Sequence, residues 1–201
     1  MLKASNSNGG MMAPSGNHFI KGLTFKSRVT FLEKTYGPEA LTRLIPHLEG
    51  EVKGLIANPR SIKATAWYPL EDQVRLDKTI CKYLANGDET IYRKMGAFSA
   101  EFHDSHIQVK QYKDPWRFIN LHSTIYPRFF KPARVEILRP SSHEARIRIF
   151  EFRSVKENCE TNIGFFFRNL ELCGAEEVEV VETQCTRDPG VEFCEYKVRW
   201  R

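Results

Sequence analysis

The sequence lacks the features that mark membrane-spanning and secreted proteins. No apolar run approaches the ~20 residues of a transmembrane helix, and residues 1–17, rich in Ser, Asn and Gly, have no apolar signal-peptide core. The five cysteines are an odd number spread through the chain, which favours reduced thiols over a disulfide framework. We therefore expect a cytoplasmic protein with a disordered tail over residues 1–17 and a single domain over residues 18–201.

Signatures of catalysis are also missing from the sequence. It contains no nucleophile elbow, no phosphate-binding loop, no glycine-rich dinucleotide turn and no histidine paired by motif with a cysteine or serine. We therefore predict that the protein is not an enzyme.

The net charge of +5 is unevenly distributed. Residues 107–153 carry ten Lys or Arg against four Asp or Glu, whereas the rest of the chain towards the C-terminus is acidic. This density is low for nucleic-acid recognition, which we disfavour. A solvated strand face, or a surface that meets an acidic partner, is the preferred interpretation.

Helical periodicity dominates the first two thirds of the chain. Apolar residues at helical spacing, with caps, predict helices over residues 25–36, 38–50 and 72–85, after Asp88, and from Asp114 to Pro127. Strands follow over residues 133–138 and 145–152, joined by a turn at 140–143. About five helices therefore precede the first strand.

The last third of the chain combines one helix with a hairpin. An apolar stripe from Cys159 to Cys173 predicts a helix with one buried side. Alternating residues then predict strands over 178–182 and 193–200. The predicted fold class is α+β: about five N-terminal helices packed on a small antiparallel sheet, with a C-terminal helix and hairpin.

Glu182 lies on the apolar face of its predicted strand, together with Val180. A buried carboxylate has to be neutralised, paired or bound to a metal. Cys159, Cys185 and Cys194 are candidate partners, and three thiolates with one carboxylate suit a tetrahedral zinc ion. The alternative is that the cysteines are small core residues and that Glu182 pairs with an arginine.

The C-terminal third also carries a family resemblance. It resembles the C-terminal half of the 4-vinyl reductase domain at Cys159, Gly164, Gly174, Glu182, Cys185, Gly190, Cys194 and Trp200. That fold also occurs as the sensory domain of phenol-responsive transcription activators and in the TRAPP vesicle-trafficking subunits, and it is distantly related to haem nitric-oxide-binding domains. The resemblance implies a structural zinc ion held by Cys159, Glu182, Cys185 and Cys194.

The N-terminal part is similar to another family related to the same fold. Residues 22–88 resemble the N-terminal part of an uncharacterised bacterial family, through the stretches 31–37 and 67–70. The resemblance also implies a ligand between the helices and the sheet. The pocket walls that we predict on this basis are Trp67, Tyr68, Phe98, Phe102, Trp116 and Phe118, although these aromatic residues could equally fill a core.

The prediction is a non-enzymatic sensor that binds a small apolar ligand and zinc and signals to a protein partner, with a homodimer as one arrangement. The alternative is a TRAPP-like scaffold without a ligand. A third reading is a haem gas sensor that uses His122 or His103. We disfavour haem because His103 and His106 read as surface residues and His122 as a core-edge residue with a hydrogen-bond partner. The predicted cofactor is thus zinc and not haem.

Overall fold

The computed structural model of the protein describes residues 18–201, apart from the side chains of residues 105–107 and 109. The tail that we predict over residues 1–17 lies outside the described residues. The buried apolar side chains of the helices and the larger sheet form one hydrophobic core.

Helices fill the first two thirds of the described chain and strands most of the rest. The helices are α1 (Gly22–Tyr36), α2 (Ala40–Leu44), α3 (Glu51–Ala57), α4 (Leu70–Tyr83), α5 (Thr90–Ile107), α6 (Pro115–Phe129) and α7 (Lys156–Leu172). The strands are β1 (Phe19–Lys21), β2 (Trp67–Pro69), β3 (Phe130–Lys131), β4 (Arg134–Ser141), β5 (Glu144–Phe150), β6 (Glu179–Gln184) and β7 (Phe193–Arg199). The predicted α+β class is confirmed.

The larger sheet has the order β4-β5-β7-β6, with every neighbouring pair antiparallel. Its inner face is apolar, as the alternation in the sequence predicts: Ile147 and Ile149 of β5 and Tyr196 of β7 are buried there. Phe166 of α7 packs edge-on against Tyr196, with ring centroids 5.2 Å apart. The helices therefore cover this face and leave the opposite face polar.

A second, smaller sheet was not predicted. It has the order β2-β1-β3, and Ile20 in its central strand lies opposite both Tyr68 and Phe130. Strands of two or three residues are too short to show a period-two pattern. This sheet ties together three segments that are far apart in the chain.

The helix predicted over residues 38–50 is shorter than expected, and α3 was missed. Continuous α-helix ends at Leu44, and a 3₁₀ turn follows over Ile45–His47. Pro46 lies in that turn and cannot donate the backbone hydrogen bond that α-helix would need. The chain then starts again in α3 after Gly50, which has a φ of 68°.

Helices α5 and α7 cross with their backbones in contact. A Cβ atom added at Gly96 of α5 would lie 2.0 Å from the carbonyl oxygen of Thr161, and one added at Gly164 of α7 would lie 2.0 Å from that of Arg93. Ion pairs flank the crossing, including Arg93 with Glu160 at 2.5 Å. The position of α7 against α5 is thereby fixed at Gly164.

Candidate ligand chamber and cysteine cluster

Four side chains from three elements converge near the start of α7. Cys159 lies in the first turn of α7, Glu182 on β6, Cys185 just after β6 and Cys194 on β7. Their ligand-type atoms all lie within 4.8 Å of one another. The Sγ atom of Cys185 is 3.5 Å from that of Cys159 and 3.4 Å from that of Cys194. The residues predicted as metal ligands thus meet at one place, which we call the cysteine cluster; metal binding there stays a prediction.

The cysteine cluster contains both a charge pair and an unsatisfied carboxylate oxygen. The Arg187 guanidinium donates to Oε2 of Glu182 at 2.6 Å and to Sγ of Cys185 at 3.0 Å. Oε1 of Glu182 is buried and has no hydrogen-bond partner within the described part of the chain. Burial raises the pKa of Glu182, because it disfavours the charged carboxylate. The arginine pairing that we held as an alternative is therefore present, but it satisfies only one of the two oxygens.

The sulfur atoms of the cluster also polarise one another. Hydrogen bonds with Cys159 and Cys185 lower the pKa of the Cys194 thiol, whereas hydrogen bonds with Cys185 and Cys194 raise that of Cys159. Three sulfurs and a carboxylate oxygen without a partner form a donor set that thiolate-preferring metal ions take. With four protein ligands such a site would be closed to water and structural.

A chamber of about 60 Å³ lies beside the first turns of α7. Helices α1, α4, α5, α6 and α7 and the small sheet enclose it. The residues that line it are Ile20, Thr24, Arg28, Gln73, Ser99, His103, His122, Ile125, Tyr126, Phe129, Phe130, Asn158, Thr161, Asn162 and Phe165. A neighbouring cavity of about 20 Å³ shares four of these residues and adds Phe118, Leu121 and Asn169.

Three polar atoms of the chamber are buried without a hydrogen-bond partner among residues 18–201. They are Nε2 of His122, Oη of Tyr126 and Oδ1 of Asn158. These residues are 4%, 3% and 7% exposed, so bulk water does not satisfy them. Buried polar groups are nearly always paired in native proteins. Three such atoms border one cavity, and an occupant of that cavity, whether water or a ligand, would complete their hydrogen bonds.

Arg28, which lines the chamber, is already paired with the buried carboxylate of Asp77. Arg28 binds Asp77 through Nε and Nη2 at 2.8 and 3.2 Å, and its Nη1 donates to Oγ of Ser99 at 2.9 Å and to the carbonyl of Met95 at 3.3 Å. Burial raises the pKa of Asp77, and the Arg28 charge opposes that rise. Since Arg28 and Asp77 neutralise each other, this wall of the chamber suits an uncharged group.

His122 lies among aromatic rings. Its centroid is 4.8 Å from that of Phe166 and 5.2 Å from that of Tyr126. Burial lowers the pKa of His122 to about 3, because the interior disfavours the imidazolium ion. The ring is therefore neutral at physiological pH, which is the form that ligates metals.

The depressed pKa of His122 predicts a specific loss of stability in acid. An unfolded histidine titrates near pH 6.5, so between about pH 3 and that value the unfolded chain binds a proton that the native state does not. The contribution of His122 to the free energy of unfolding is fully present above pH ~6.5. It falls as the pH drops below that value, by up to about 1.4 kcal/mol per pH unit. Urea unfolding of the apo wild type and of His122→Phe, from neutral pH to pH ~5, should show the steeper acid loss in the wild type. Parallel curves would contradict the prediction.

The six aromatic residues predicted as pocket walls do not line one cavity. Phe118 lines the smaller one, and none of the six lines the chamber. Trp67 lies on the small sheet beneath Nζ of Lys21, at 3.9 Å, and Trp116 packs against Trp200. The remaining three pack on other aromatic rings: Tyr68 on Phe25, Phe98 on Phe31, and Phe102 on Phe98.

Sequence reasoning placed one chamber residue wrongly and missed others. His103 was predicted at the surface, but it is buried and stacks on Phe129, 5.1 Å away between centroids. The side chain of His106 lies outside the described residues. Asn158, Thr161 and Asn162 were not singled out, although their spacing of three and four residues puts them on one helix face with Phe165. A polar stripe continued by a phenylalanine was the signal that could have identified this wall.

Solved structures with a similar arrangement of elements include H-NOX proteins. An H-NOX protein from S. oneidensis in the Fe(II)NO state matches with a TM-score of 0.67 and 13% identity over 90% of this chain and 99% of that one. An unliganded Fe(II) H-NOX protein from K. algicida matches with a TM-score of 0.63 and 14% identity, over 90% of this chain and 97% of that one. An oxygen-binding H-NOX domain related to soluble guanylate cyclases matches with a TM-score of 0.67 and 12% identity, over 90% of this chain and 95% of that one. The fold is similar to that of H-NOX domains. No protein-family model matches this sequence, and neither does any curated protein.

These comparisons bear on the family resemblance and on the cofactor. The relation to haem nitric-oxide-binding domains is confirmed at the level of fold, whereas no family match supports the 4-vinyl reductase assignment. The cofactor prediction, zinc and not haem, is wrong on the same finding, because the matched structures are Fe(II) and oxygen-complexed H-NOX domains. His122 led to the error, since we expected a hydrogen-bond partner that the structure does not provide.

The residues of the chamber fit haem in chemistry more closely than in size. A neutral imidazole with a buried, unpaired Nε2 is the type of axial ligand that haem iron takes. The volume of about 60 Å³ is below the roughly 300–1,000 Å³ of typical ligand pockets. Phe129, Phe130 and Phe165 line the chamber, so a haem-sized occupant has to displace these rings.

Within residues 18–201, no helix is long and apolar enough to cross a membrane.

Proposed function

We propose that this chain is a ligand-binding sensor domain whose ligand occupies the chamber between α1, α6 and α7. The observation that carries the proposal is the set of three unpaired polar atoms, on His122, Tyr126 and Asn158, around one cavity. Unsatisfied groups of this kind cost roughly 1–3 kcal/mol each, and an occupant that pairs with them recovers that cost. The likeness to H-NOX structures supports the choice of a sensor. The proposal requires no catalytic group.

Haem is the occupant that we propose, with His122 as the residue that would hold its iron. When bound, haem supplies a site for a diatomic gas. The chain would contribute a neutral imidazole and two hydrogen-bonding groups on Tyr126 and Asn158. The rings of Phe129, Phe130 and Phe165 would form an apolar wall once haem had displaced them. A change in the chamber would reach the surface through α7 and the small sheet, both of which line it.

The haem proposal predicts a Soret band that depends on His122. Adding haem to the purified apo protein should give a saturable band, and His122→Gly should weaken haem binding by about tenfold or more, a loss of about 1.4 kcal/mol. Imidazole in the buffer should restore the band of the variant, since it replaces the missing ligand. His47→Ala is the matched control, because His47 is exposed and stacks on Tyr83.

The alternatives give different results in the same titration. A band lost in His103→Ala and retained in His122→Gly would move the iron ligand to the other chamber histidine. No saturable band, together with no uptake of an uncharged environment-sensitive dye, would refute a ligand chamber. It would favour a scaffold with a filled core and an interaction role.

We also propose that the cysteine cluster binds a metal ion that fixes α7 to the β6–β7 hairpin. The three sulfurs and the unpaired Oε1 of Glu182 support this proposal. We expect about one transition-metal ion per chain in protein purified without a metal-affinity step, measured by elemental analysis across all transition metals. Cys185→Ser should lose it and unfold more easily, because binding to the native state alone stabilises that state. Cys173→Ser is the control, since Cys173 is buried outside the cluster. Equal metal contents in the two variants would contradict the site.

A further inference from the structure

The first turns of α7 contact both the chamber and the cysteine cluster. Asn158 and Asn162 line the chamber, whereas Cys159, between them in sequence, belongs to the cluster. Successive residues of an α-helix rise by about 1.5 Å, so the two sites act on the same helical turn. A displacement of that turn changes both.

A buried hydrogen bond connects the same turn to the strand of the cluster. Nδ2 of Asn162 donates to Oη of Tyr196 at 3.2 Å. Tyr196 is fully buried on β7, two residues after Cys194, and it pairs in register with Glu182. The Asn162 side chain therefore links the chamber to Tyr196, which lies next to Glu182 and close to Cys194 on the hairpin.

A second connection runs through the segment before α7. Phe152 packs edge-on against Phe130, a chamber residue, with centroids 5.5 Å apart. Two residues later Oγ of Ser154 lies 3.1 Å from Sγ of Cys159, and its amide donates to Oγ1 of Thr186 at 3.0 Å. The chamber wall and the cluster are thus joined on both sides of the helix start.

The crossing with α5 decides where α7 can move. Gly164 holds the middle of the helix against Arg93, backbone to backbone. The turn that carries Asn158, Cys159 and Asn162 precedes this fixed point. Thr161, within this turn, also meets the α5 backbone at Gly96. The cysteine cluster therefore acts on the residues before Thr161, among them Asn158 and Cys159.

We infer that metal occupancy of the cysteine cluster and ligand occupancy of the chamber are coupled through the first turns of α7. The inference rests on the proposed function of both sites. A closed metal site holds Cys159 against the hairpin and thereby orients Asn158 and Asn162 towards the chamber. Coupling between two binding sites is reciprocal. A ligand in the chamber therefore changes the metal affinity by the same factor by which the metal changes the ligand affinity.

The test measures binding of Co²⁺ to metal-free protein through its thiolate-to-cobalt charge-transfer absorption. Asn162→Ala and Tyr196→Phe remove the same hydrogen bond from opposite sides, and each should weaken Co²⁺ binding by about tenfold. The double variant should bind Co²⁺ no more weakly than either single variant, because both substitutions remove the same interaction. Asn169→Ala is the matched control: Asn169 is a buried asparagine of the same helix, beyond Gly164, and donates to the carbonyl of Phe165. Its Co²⁺ affinity should stay within twofold of the wild type.

Hydrogen exchange separates the coupling from general destabilisation. Co²⁺ should slow amide exchange in residues 158–163 and leave residues 168–172 unchanged. Cobalt binding with unchanged affinity in both variants, or protection confined to residues 182–194, would overturn the inference and leave the metal site intact. Absence of any cobalt binding in the wild type would overturn both. If haem binds, Co²⁺ should raise its affinity, and an equal haem affinity with and without Co²⁺ would also refute the coupling.

Discussion

Replacing Gly164 by alanine should lower the free energy of unfolding by about 3 kcal/mol, the upper part of the range for overpacked cores. The added Cβ would lie 2.0 Å from a backbone oxygen of α5, at Arg93. A flexible side chain could turn away, but a helix backbone has to shift as a whole. Gly96→Ala meets the oxygen of Thr161 at the same distance and should cost a similar amount. Urea unfolding followed by circular dichroism measures both.

Gly54→Ala is the control for this experiment. Gly54 also lies within a helix, α3, but a Cβ atom there meets nothing within 4 Å. Alanine favours helix over glycine by up to about 1 kcal/mol, so this variant should be as stable as the wild type or more stable. A loss at Gly54 equal to that at Gly164 would show that helix glycines as such, and not the crossing, determine the result.

Removing the charge of Arg28 should cost about 3–5 kcal/mol, because it leaves the carboxylate of Asp77 buried without a counter-ion. Both partners are nearly inaccessible, with side chains 2% and 3% exposed. The variant Arg28→Met preserves much of the apolar volume while removing all of the donors. Thermal or urea unfolding of the apo protein should show the loss.

A second substitution tests whether the cost arises from the orphaned carboxylate. The double variant Arg28→Met, Asp77→Leu removes both charges, and replacement of a whole buried pair is often close to neutral, so most of the loss should be recovered. Arg201→Met provides the surface comparison, because Arg201 and Glu177 are 78% and 63% exposed in their pair. Exposed pairs contribute about 0–1 kcal/mol. If Arg28→Met cost no more than Arg201→Met, the buried pair would not be a major source of stability.

Local signals in the sequence predicted the elements where one short pattern decides the structure. The side chain of Asp114 accepts from the amide of Trp116 at 2.9 Å, and α6 starts at Pro115, as the cap and first-turn proline predict. The alternation around Glu182 likewise predicted that its carboxylate faces the apolar side of the strand, which is where the structure brings the three cysteines to it. Each of these inferences needed only a few neighbouring residues.

The chamber could not be predicted in this way, because its composition depends on which helices meet. Its walls come from five helices and two strands, and no periodicity records which faces of those helices enclose a cavity. Glu195 shows the same limit on the polar face of the larger sheet. It lies on the polar face, yet it is 4% exposed because Arg148 and Arg146 pair with it, at 2.7 and 3.4 Å.

The small sheet has a consequence for how the protein can be divided. Its three strands come from residues 19–21, 67–69 and 130–131, and two of them place Ile20 and Phe130 in the chamber wall. A fragment that stops before α7, or one that starts after α1, lacks part of the enclosure. A shorter fragment of this kind therefore does not form the complete chamber. A ligand in the chamber should slow proteolytic cleavage in all of these distant segments to the same extent, because each segment supplies part of the same wall and they open as one cooperative unit.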